Sequence, residues 1–567
     1  MKKINYLIPL FKPHYGRDEI GKVNKVLKSG WIGLGPETEE FERKFAKYVG
    51  SKYAVALNSA TSALHLALIV SDVKKGDEVI VPALTFVSTA HVAEYLKAKP
   101  VFADLQKDTL CLNPSEVEKN ITNKTKAIVV VHYGGHPGNM DELLKIAKRY
   151  NITLIEDAAH ACGSKYYDKM IGNVGPLTCF SFHAVKNLAT GDGGMITTND
   201  KKVADKLKSL RWMGINKSTW GRIENVTRKG APKKSYGWYY EVDALGYKYH
   251  MNDIAAALGL AQLEKLDRVN EKRRRLAGVY TKALDSIPEI ECPTTLDGVI
   301  SSQHNYAIRL DNRDKLYLYL KHNNISTGVH YLPLHMQPYY SKRHKNTQLP
   351  VTESEWKRIL LLPLFPSLTK KEQEYIISKV AEFFDNKKMT VKTTITQGSR
   401  ISQGSVKLRP LEKDDIEILR IWRNASRKSF LSSHAISQSK QKKWFLNYQN
   451  NERDIVFVIE NNLGESVGAV SLYDFEPDIS QVEYGRLIID PKRRGKGHAH
   501  AATKCLVNYA FKSLGYRTIY LEVLKSNKIA LELYKKIGFE QGSPITVKGK
   551  IVIPMKLYRT KFIASKQ

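Results

Sequence analysis

The feature that most constrains this chain is an alternation that fills its first 385 or so residues. Short β-branched runs, YAVAL (53–57), DEVIVP (77–82), KPVFAD (99–104), KAIVVVHY (126–133) and ITLIEDA (152–158), are separated by stretches with apolar residues at helical spacing, such as TSALHLALIVS (61–71) and MDELLKIAKRY (140–150). Strand and helix in repetition bury their apolar faces as a largely parallel sheet covered by helices. Ligands bind such sheets at the carboxyl ends of the strands. From Asn386 to Val406 the chain reads NKKMTVKTTITQGSRISQGSV, rich in Lys, Thr, Ser, Gln and Gly. Beyond it the rhythm changes. DIVFVIEN, SVGAVSLYDF, QVEYGRLIID and RTIYLEV are strand-like, and ATKCLVNYAFKSL and NKIALELYKKIGF are helical. The expectation is two α/β domains, residues 1–387 and 406–567, joined by a linker at 388–405.

Composition narrows the partners. At 567 residues, 42% hydrophobic and 26% charged, the chain is an ordinary globular protein, which excludes dominant disorder. Lys+Arg 89 against Asp+Glu 57 gives a net charge of +32, a surface that attracts nucleic acid, acidic lipid or phosphorylated small molecules. Five scattered cysteines without a CxxC pair suggest neither a metal site nor a disulfide framework, and a reducing cytoplasm is the expected location. The amino-terminal apolar run is interrupted by Pro9 and Pro13 and lacks a small-residue cleavage site, so it is a poor signal peptide. No apolar stretch approaches the roughly 18 to 20 residues of a spanning helix, so no membrane span is expected.

Chemistry concentrates in NITLIEDAAHACGSKYYDKMIGNVGPLTCFSFHAVKNLATGDGGMITTND, which begins at Asn151. Asp157 ends an apolar strand, where a carboxylate can keep a heterocyclic nitrogen protonated through a charge-assisted hydrogen bond. Lys186 follows 29 positions later in SFHAVKN, among aromatic and small residues that desolvate an amine and make it nucleophilic. Alone, the Asp is a turn former and the Lys a solvated charge. Together they are the two protein groups that pyridoxal phosphate chemistry needs: one for the pyridinium nitrogen, one for the aldehyde.

EDAAHACGS, SFHAVKN and GDGGMITTND resemble the signature of the DegT-type sugar-nucleotide aminotransferases. The resemblance extends over roughly residues 6–385 and includes NSATSALHLAL, PALTFVSTA, GYKYHMNDIAAALGLAQLEKLD and TGVHYLPLHMQPYY. It implies an aspartate-aminotransferase-like (type I) fold, pyridoxal 5'-phosphate as cofactor, glutamate as amino donor, a nucleotide-diphosphate sugar as substrate and a homodimer. It further implies Lys186 as Schiff-base lysine and acid/base, and Asp157 at the pyridine nitrogen. His160 falls near the ring hydroxyl, Phe86 on the ring face, and Ala60, Thr61 and Ser181 at the phosphate. His183, His330 and His335 are the implied substrate contacts. Phe86 as a core aromatic and Thr61 as a helix cap are the ordinary alternatives. Two departures stand out: Lys248 and His250 replace a frequent Asn and Arg, so Lys248 is expected at the phosphate as a point charge, and Ala60 replaces a frequent Gly. The GYKYHMNDIAAALGLAQLE form is similar to members that aminate C4 of 4-keto-6-deoxy sugars.

In the second part, EYGRLIID runs into PKRRGKGHAHAATKCLVNYAF. Arg494, Gly495, Gly497 and Ala499 form a basic, glycine-containing turn that opens a helix, a cradle for pyrophosphate, with a solvated basic turn as the plain alternative. Asn527 and Tyr534 lie seven apart, two helical turns, so they share a face; a tyrosine there can protonate a thiolate, or simply fill a core. The loop and NKIALELYKKIGF resemble the Gcn5-related N-acetyltransferases (GNAT), a match over about 406–560 that implies acetyl-CoA as cosubstrate. By that resemblance Leu487 and Ile489 offer strand backbone to the pantetheine arm, Asn527 bonds the cofactor arm and Tyr534 is the general acid. No motif marks the base; Glu483, on the same strand, is the candidate.

The combined expectation is an enzyme that aminates a 4-keto sugar nucleotide and then acetylates the new amine. One alternative gives the acetyltransferase a protein N-terminus or another amine as acceptor. Another makes the chain a DNA-binding regulator, prompted by the charge; it lacks a helix-turn-helix segment and interleaved aromatic and basic residues, so nucleic acid is not an expected partner.

Overall fold

The computed structural model describes residues 4–216, 238–388, 401–449, 451, 454–476, 481–514 and 516–564. They fall into two compact units, Met1–Phe383 and Phe384–Gln567.

The first unit is built on a seven-stranded sheet. Its strands are β1 (Tyr53–Leu57), β2 (Glu78–Pro82), β3 (Lys99–Ala103), β4 (Thr125–Val131), β5 (Thr153–Asp157), β6 (Leu177–Ser181) and β7 (Gly194–Thr198), in the order β1-β7-β6-β5-β4-β2-β3. Six run parallel; β7 alone is antiparallel to its neighbours. Near-continuous apolar runs suit these strands because both faces are covered. Val55, Leu57, Val79, Val81, Val129 and Ile155 pack on one side with helix α1 (Ala60–Val70), whose Leu64 and Leu68 complete that layer. Phe41, Phe45, Phe180 and Met195 pack on the other with Leu260 of the long helix α2 (Asp253–Leu284). Register pairs Val131 with Asp157 and Asp157 with Cys179, which brings the carboxyl ends of β4, β5 and β6 to one edge. The predicted strands and the helix at 140–150 form as read, within a residue or two at their ends; β6 and β7 are not among the predicted strands.

The second unit is a nine-stranded, mostly antiparallel sheet. Its strands are β8 (Ile401–Gln403), β9 (Val406–Pro410), β10 (Asp454–Asn461), β11 (Ser466–Glu476), β12 (Gln481–Ile489), β13 (Thr518–Leu524), β14 (Glu540–Gln541), β15 (Ile545–Val547) and β16 (Lys550–Tyr558). The order is β8-β9-β10-β11-β12-β13-β16-β14, with β15 also on β16. Helices α3 (His498–Lys512) and α4 (Lys528–Ile537) cover one face, burying Leu506, Ala510 and Tyr534 against Phe457, Val470 and Tyr484. Among the described residues the only parallel pair of this sheet, β12 with β13, is joined at Gln481–Thr518, Val482–Ile519 and Glu483–Tyr520; beyond Glu483 the two strands part.

The expected linker requires a correction. Ile401–Gln403 pairs with Val406–Leu408 across a turn in which Gly404 takes φ +66°, so ordered strand begins inside 388–405. An edge strand is held by main-chain bonds, which its polar composition does not reveal. Residues 389–400 of that segment lie outside the described residues.

Candidate active sites

In the first unit a cavity of about 320 Å³ opens at the carboxyl ends of β4, β5 and β6 and at the amino end of α1. That volume suits a cofactor-sized ligand. Asp157 stands in its wall, 5% exposed. Its Oδ2 accepts the Thr89 hydroxyl at 2.8 Å and its Oδ1 the Ala159 N–H at 3.1 Å. Because the Thr89 proton is committed to Asp157, Thr85 donates to Thr89 Oγ1 at 2.8 Å. Burial is the larger influence on Asp157 and pushes its carboxyl up, while these two donors oppose it. Lys186 lines the same cavity and makes no side-chain hydrogen bond or ion pair among the described residues. Enclosure lowers its amine from 10.5 to about 8, with Asp157 pulling the other way. An amine that gives up its proton near pH 8, well below an ordinary lysine, and a buried carboxyl group therefore share one cavity.

The phosphate end follows from helix geometry. Ser59 caps α1 by accepting the Ser62 N–H at 3.1 Å, which leaves the N–H groups of Ala60 and Thr61 for a ligand. The Thr61 and Ser88 hydroxyls meet at 2.7 Å, and Ser181 lies in the wall beside them. A Cβ on Gly194 would stand 2.4 Å from the Ser59 carbonyl and 2.7 Å from the Ala60 nitrogen, so β7 approaches this turn only because residue 194 is glycine.

The aromatic wall contains residues that sequence reasoning missed. His160 accepts the Gly134 N–H on Nδ1 at 3.3 Å, which leaves its proton on Nε2 as a donor in the cavity wall. His304 stacks on it at 4.4 Å and Phe11 stacks on His304 at 5.4 Å. The Asn187 amide donates to Asn270 and to the Ser302 carbonyl, both at 2.8 Å, so its oxygen accepts the Nδ1–H of His304 at 3.0 Å. Burial, with Lys186 adding, holds both imidazoles well below their ordinary value. Tyr331 reaches Phe86, 5.9 Å between rings, at the mouth. The signal for Thr89 was present in PALTFVSTA, whose two threonines lie four apart; nothing local marked His304 or Tyr331.

The structure brings Asp157, Lys186, His160, Thr61, Phe86 and Ser181 together, with Ala60 and His183 in the same walls. It does not bring in His335. That side chain is buried against Glu353, Nε2 to Oε1 3.1 Å, because the chain turns inward after Pro333 and ties Leu334 N–H to the Ala83 carbonyl. His330 stacks on Tyr331 at 4.6 Å, with burial lowering it to about 4, and sits behind the wall. Lys248 Nζ lies 3.6 Å over the Trp212 ring rather than in the cavity.

In the second unit Leu487, Ile489 and the turn from Arg494 to Ala499 follow the point where β12 leaves β13. Gly495 and Gly497 take φ +79° and +76°, and a Cβ at either would meet nothing, so conformation and not space requires glycine. Gly497 precedes α3, Ala499 lies in its first turn, and Arg494 is tethered to the Ser426 hydroxyl at 2.7 Å. Leu487 and Ile489 stand on β12 beyond its pairing with β13. Tyr534 is 7% exposed, between the rings of Tyr484 and Phe539, and burial raises its hydroxyl. Asn527 caps α4, accepting the Ala530 N–H at 3.3 Å, so its oxygen is engaged. Glu483 accepts the Tyr473 hydroxyl at 2.7 Å, and burial pushes its carboxyl up.

A parallel sheet with one antiparallel strand, an enclosed lysine and a strand-end carboxylate define the type I pyridoxal-phosphate fold in the first unit; the second has the GNAT fold. Residues 13–381 match the DegT/DnrJ/EryC1/StrS aminotransferase family, and the chain belongs to it. Residues 405–540 match the acetyltransferase (GNAT) domain. The chain is similar to the spore coat polysaccharide biosynthesis protein SpsC of Bacillus subtilis, 41% identical over 391 residues, 67% of this chain and 98% of SpsC. Among solved structures it is similar to the aminotransferase TlmJ from Streptoalloteichus hindustanus (31% identity, TM-score 0.62, 67% of this chain and 100% of TlmJ). It is also similar to Helicobacter pylori PseC, an aminotransferase involved in the biosynthesis of pseudoaminic acid (28%, TM-score 0.62, 67% and 100%). The protein is thus a transferase with two catalytic units, a sugar aminotransferase that uses pyridoxal phosphate and an acetyltransferase that uses acetyl-CoA. Among the described residues no helix is long and apolar enough to cross a membrane.

Proposed function

We propose that the chain aminates C4 of a nucleotide-linked 4-keto-6-deoxyhexose with glutamate as donor, and then acetylates the new amine from acetyl-CoA, to supply a precursor of a surface polysaccharide. The convergence of Asp157 and Lys186 on one cavity beside the amino end of α1 carries the first half of this reading. The GYKYHMNDIAAALGLAQLE segment supports C4, and the names of SpsC and PseC support the pathway class. When bound, pyridoxal phosphate supplies an aldehyde and a protonated ring that takes up electrons. Asp157, aimed by Thr89 and Ala159, holds the proton on the ring nitrogen. Lys186 Nζ, neutral above about pH 8, takes and returns the proton at the reacting carbon. Ala60, Thr61 and Ser181 hold the phosphate, His160 Nε2–H the ring hydroxyl, and Phe86 the ring face. His183 meets the sugar, and Lys248 serves the phosphate of a partner subunit in a homodimer.

In the second unit the turn from Arg494 through Gly495 and Gly497 to Ala499 holds the pyrophosphate, Leu487 and Ile489 offer backbone to the pantetheine arm, and Asn527 flanks it. Tyr534 protonates the departing thiolate, and Glu483 takes the proton of the acceptor ammonium. The first domain ends near residue 387, the second begins with β8 at 401, and the enzyme works in the cytoplasm.

The test incubates purified protein with pyridoxal phosphate, glutamate, acetyl-CoA and a panel of UDP-, dTDP- and GDP-4-keto-6-deoxyhexoses, omitting each cosubstrate in turn. Products are followed by mass spectrometry. A glutamate-dependent amino sugar that gains an acetyl group only with acetyl-CoA is expected. Lys186→Ala is expected to abolish amination yet acetylate a supplied amino sugar, and Tyr534→Phe to do the reverse. Inseparable defects would sink the modular reading; amination without acetylation would send the second unit to other amines, peptide N-termini first.

A further inference from the structure

The pairing of strand β12 with β11 is irregular at two places, and one of them flanks Glu483. Between the pairs Ala469–Ile488 and Ser471–Gly485 the register slips by one residue, and Arg486 takes φ +52°. Two residues of β11 thus span three of β12, a bulge. In a regular strand residues three apart point to opposite faces. The extra residue brings Arg486 round to the face of Glu483: its guanidinium lies 4.3 Å from the Tyr473 ring centre, and the Tyr473 hydroxyl donates to Glu483 Oε1 at 2.7 Å. Asp454, one strand further, holds Arg486 Nη1 with both carboxylate oxygens at 2.7 Å. The hydroxyl has room only because residue 485 lacks a side chain. A Cβ there would stand 2.5 Å from the Tyr473 oxygen and 3.1 Å from its ring. Glu483 is also the last residue of β12 paired to β13, so the network ends at the mouth of the splay.

We propose that Tyr473, seated by Gly485 and backed by the Arg486–Asp454 pair, is a positioning residue for acetyl transfer that fixes the Glu483 carboxylate where the acceptor ammonium enters. The proposal rests on the reading of Glu483 as the base. In the step it serves, the acceptor ammonium gives one proton to the Glu483 carboxylate and the freed amine forms a C–N bond to the acetyl carbon. The C–S bond breaks and the thiolate takes the Tyr534 proton; the second proton, left on the acylated nitrogen, leaves through solvent and restores the Tyr534 hydroxyl, and Glu483 releases its proton to water. The charged and titratable groups acting on Glu483 are Tyr473 and Asp474 on β11, Glu522 on β13 and Arg486 on β12. Burial, Asp474 and Glu522 raise its carboxyl, and the Tyr473 hydrogen bond and Arg486 lower it, so loss of the hydroxyl raises it further.

The experiment uses the full chain, acetyl-CoA and UDP- and dTDP-linked 4-amino-4,6-dideoxyhexoses as probes, with thiol release followed from pH 5.5 to 9. In Tyr473→Phe the acid limb of kcat/KM is expected to move up by about one pH unit, the order of a lost hydrogen bond to a carboxylate. Gly485→Ala, which displaces the hydroxyl without removing it, is expected to move the same limb, while acetyl-CoA affinity by calorimetry stays within about twofold in both. Glu483→Gln is expected to abolish the shifted limb altogether. A limb that stays in place in Tyr473→Phe, whether or not the rate falls, would show that the tyrosine only packs; acetylation by the parent protein would then leave the wider reading standing. If the parent protein acetylates none of the probes, the reading fails and the assignment of Tyr473 with it.

Discussion

Replacing Thr89 by Val removes a hydroxyl and almost no volume, and it isolates how the first cavity keeps a carboxylate charged. Thr89 is fully buried, and Asp157 receives two hydrogen bonds from the chain, one of them from this hydroxyl at 2.8 Å. A hydrogen bond to a charged group contributes about 1.5–3 kcal/mol, and one pH unit corresponds to about 1.4 kcal/mol. The Asp157 carboxyl, already raised by burial, should therefore rise by about one to two further units. The sign fixes the assay. A carboxyl raised in the folded state is protonated in both states at low pH, where it costs nothing, and its penalty grows as pH climbs from the unfolded value through the folded one. The extra penalty in Thr89→Val thus appears only above the parent protein's folded value. Urea unfolding of the apoprotein at several pH values from about 4.5 to 8 should show a destabilisation that grows toward the full 1.5–3 kcal/mol at the alkaline end. Affinity for pyridoxal phosphate, by absorbance titration at pH 8, should fall about tenfold as the partner of the ring nitrogen becomes harder to ionise. A destabilisation equal at every pH would refute the electrostatic account and reduce Thr89 to packing.

Two further predictions concern the same cavity. Since enclosure lowers Lys186 to about 8, capture of the cofactor aldehyde by the apoprotein should accelerate about tenfold per pH unit and level off near pH 8, read by stopped-flow absorbance; a break near 10.5 would mean the amine is solvated. Gly194→Ala places a methyl 2.4 Å from the Ser59 carbonyl, so cofactor affinity should weaken at least about tenfold and stability fall by about 1–3 kcal/mol, with far-UV circular dichroism retained. Unchanged affinity would show that the first turn of α1 does not hold the phosphate.

What could be read in advance was what lies within a short stretch of chain. Asp157, His160, Ser181 and Lys186 occupy 30 positions in which strand ends, small residues and chemistry coincide. The strands were legible because β-branched runs buried on both faces have few alternatives. Thr89 and Tyr331 reach the cavity, and His304 backs its wall, from three remote segments, and what brings them there is register and packing, for which no residue type is a sign. The direction of β7 was equally hidden, since GMITT suits either sense and the connection decides. His335 shows the converse: it stands five positions after His330, yet beyond Pro333 it is buried against Glu353 while His330 stacks on Tyr331, and neither lines the cavity. Strand β8 escaped notice because its bonds are main-chain bonds, and the bulge at Arg486 because only the pairing with β11 reveals the added residue.

The proposed order of reactions also follows from their energetics. Amino transfer exchanges one ketone and one amine for another pair of the same kind, so by itself it leaves substantial reactant. Acetyl transfer exchanges a thioester for an amide, a change that lies far toward product and withdraws the amine from the first equilibrium. Once acylated, the nitrogen has lost the basic lone pair that reaction with an aldehyde requires, and Lys186 meets no competing amine from the product. The two chemistries thus handle two nitrogens differently: enclosure lowers the Lys186 amine to about 8, so that it loses its proton more readily, while the second site must take a proton from a substrate ammonium that arrives charged. A carboxylate held in a partly desolvated pocket is suited to that second task, its proton affinity brought closer to neutrality by burial and kept from rising too far by Tyr473 and Arg486.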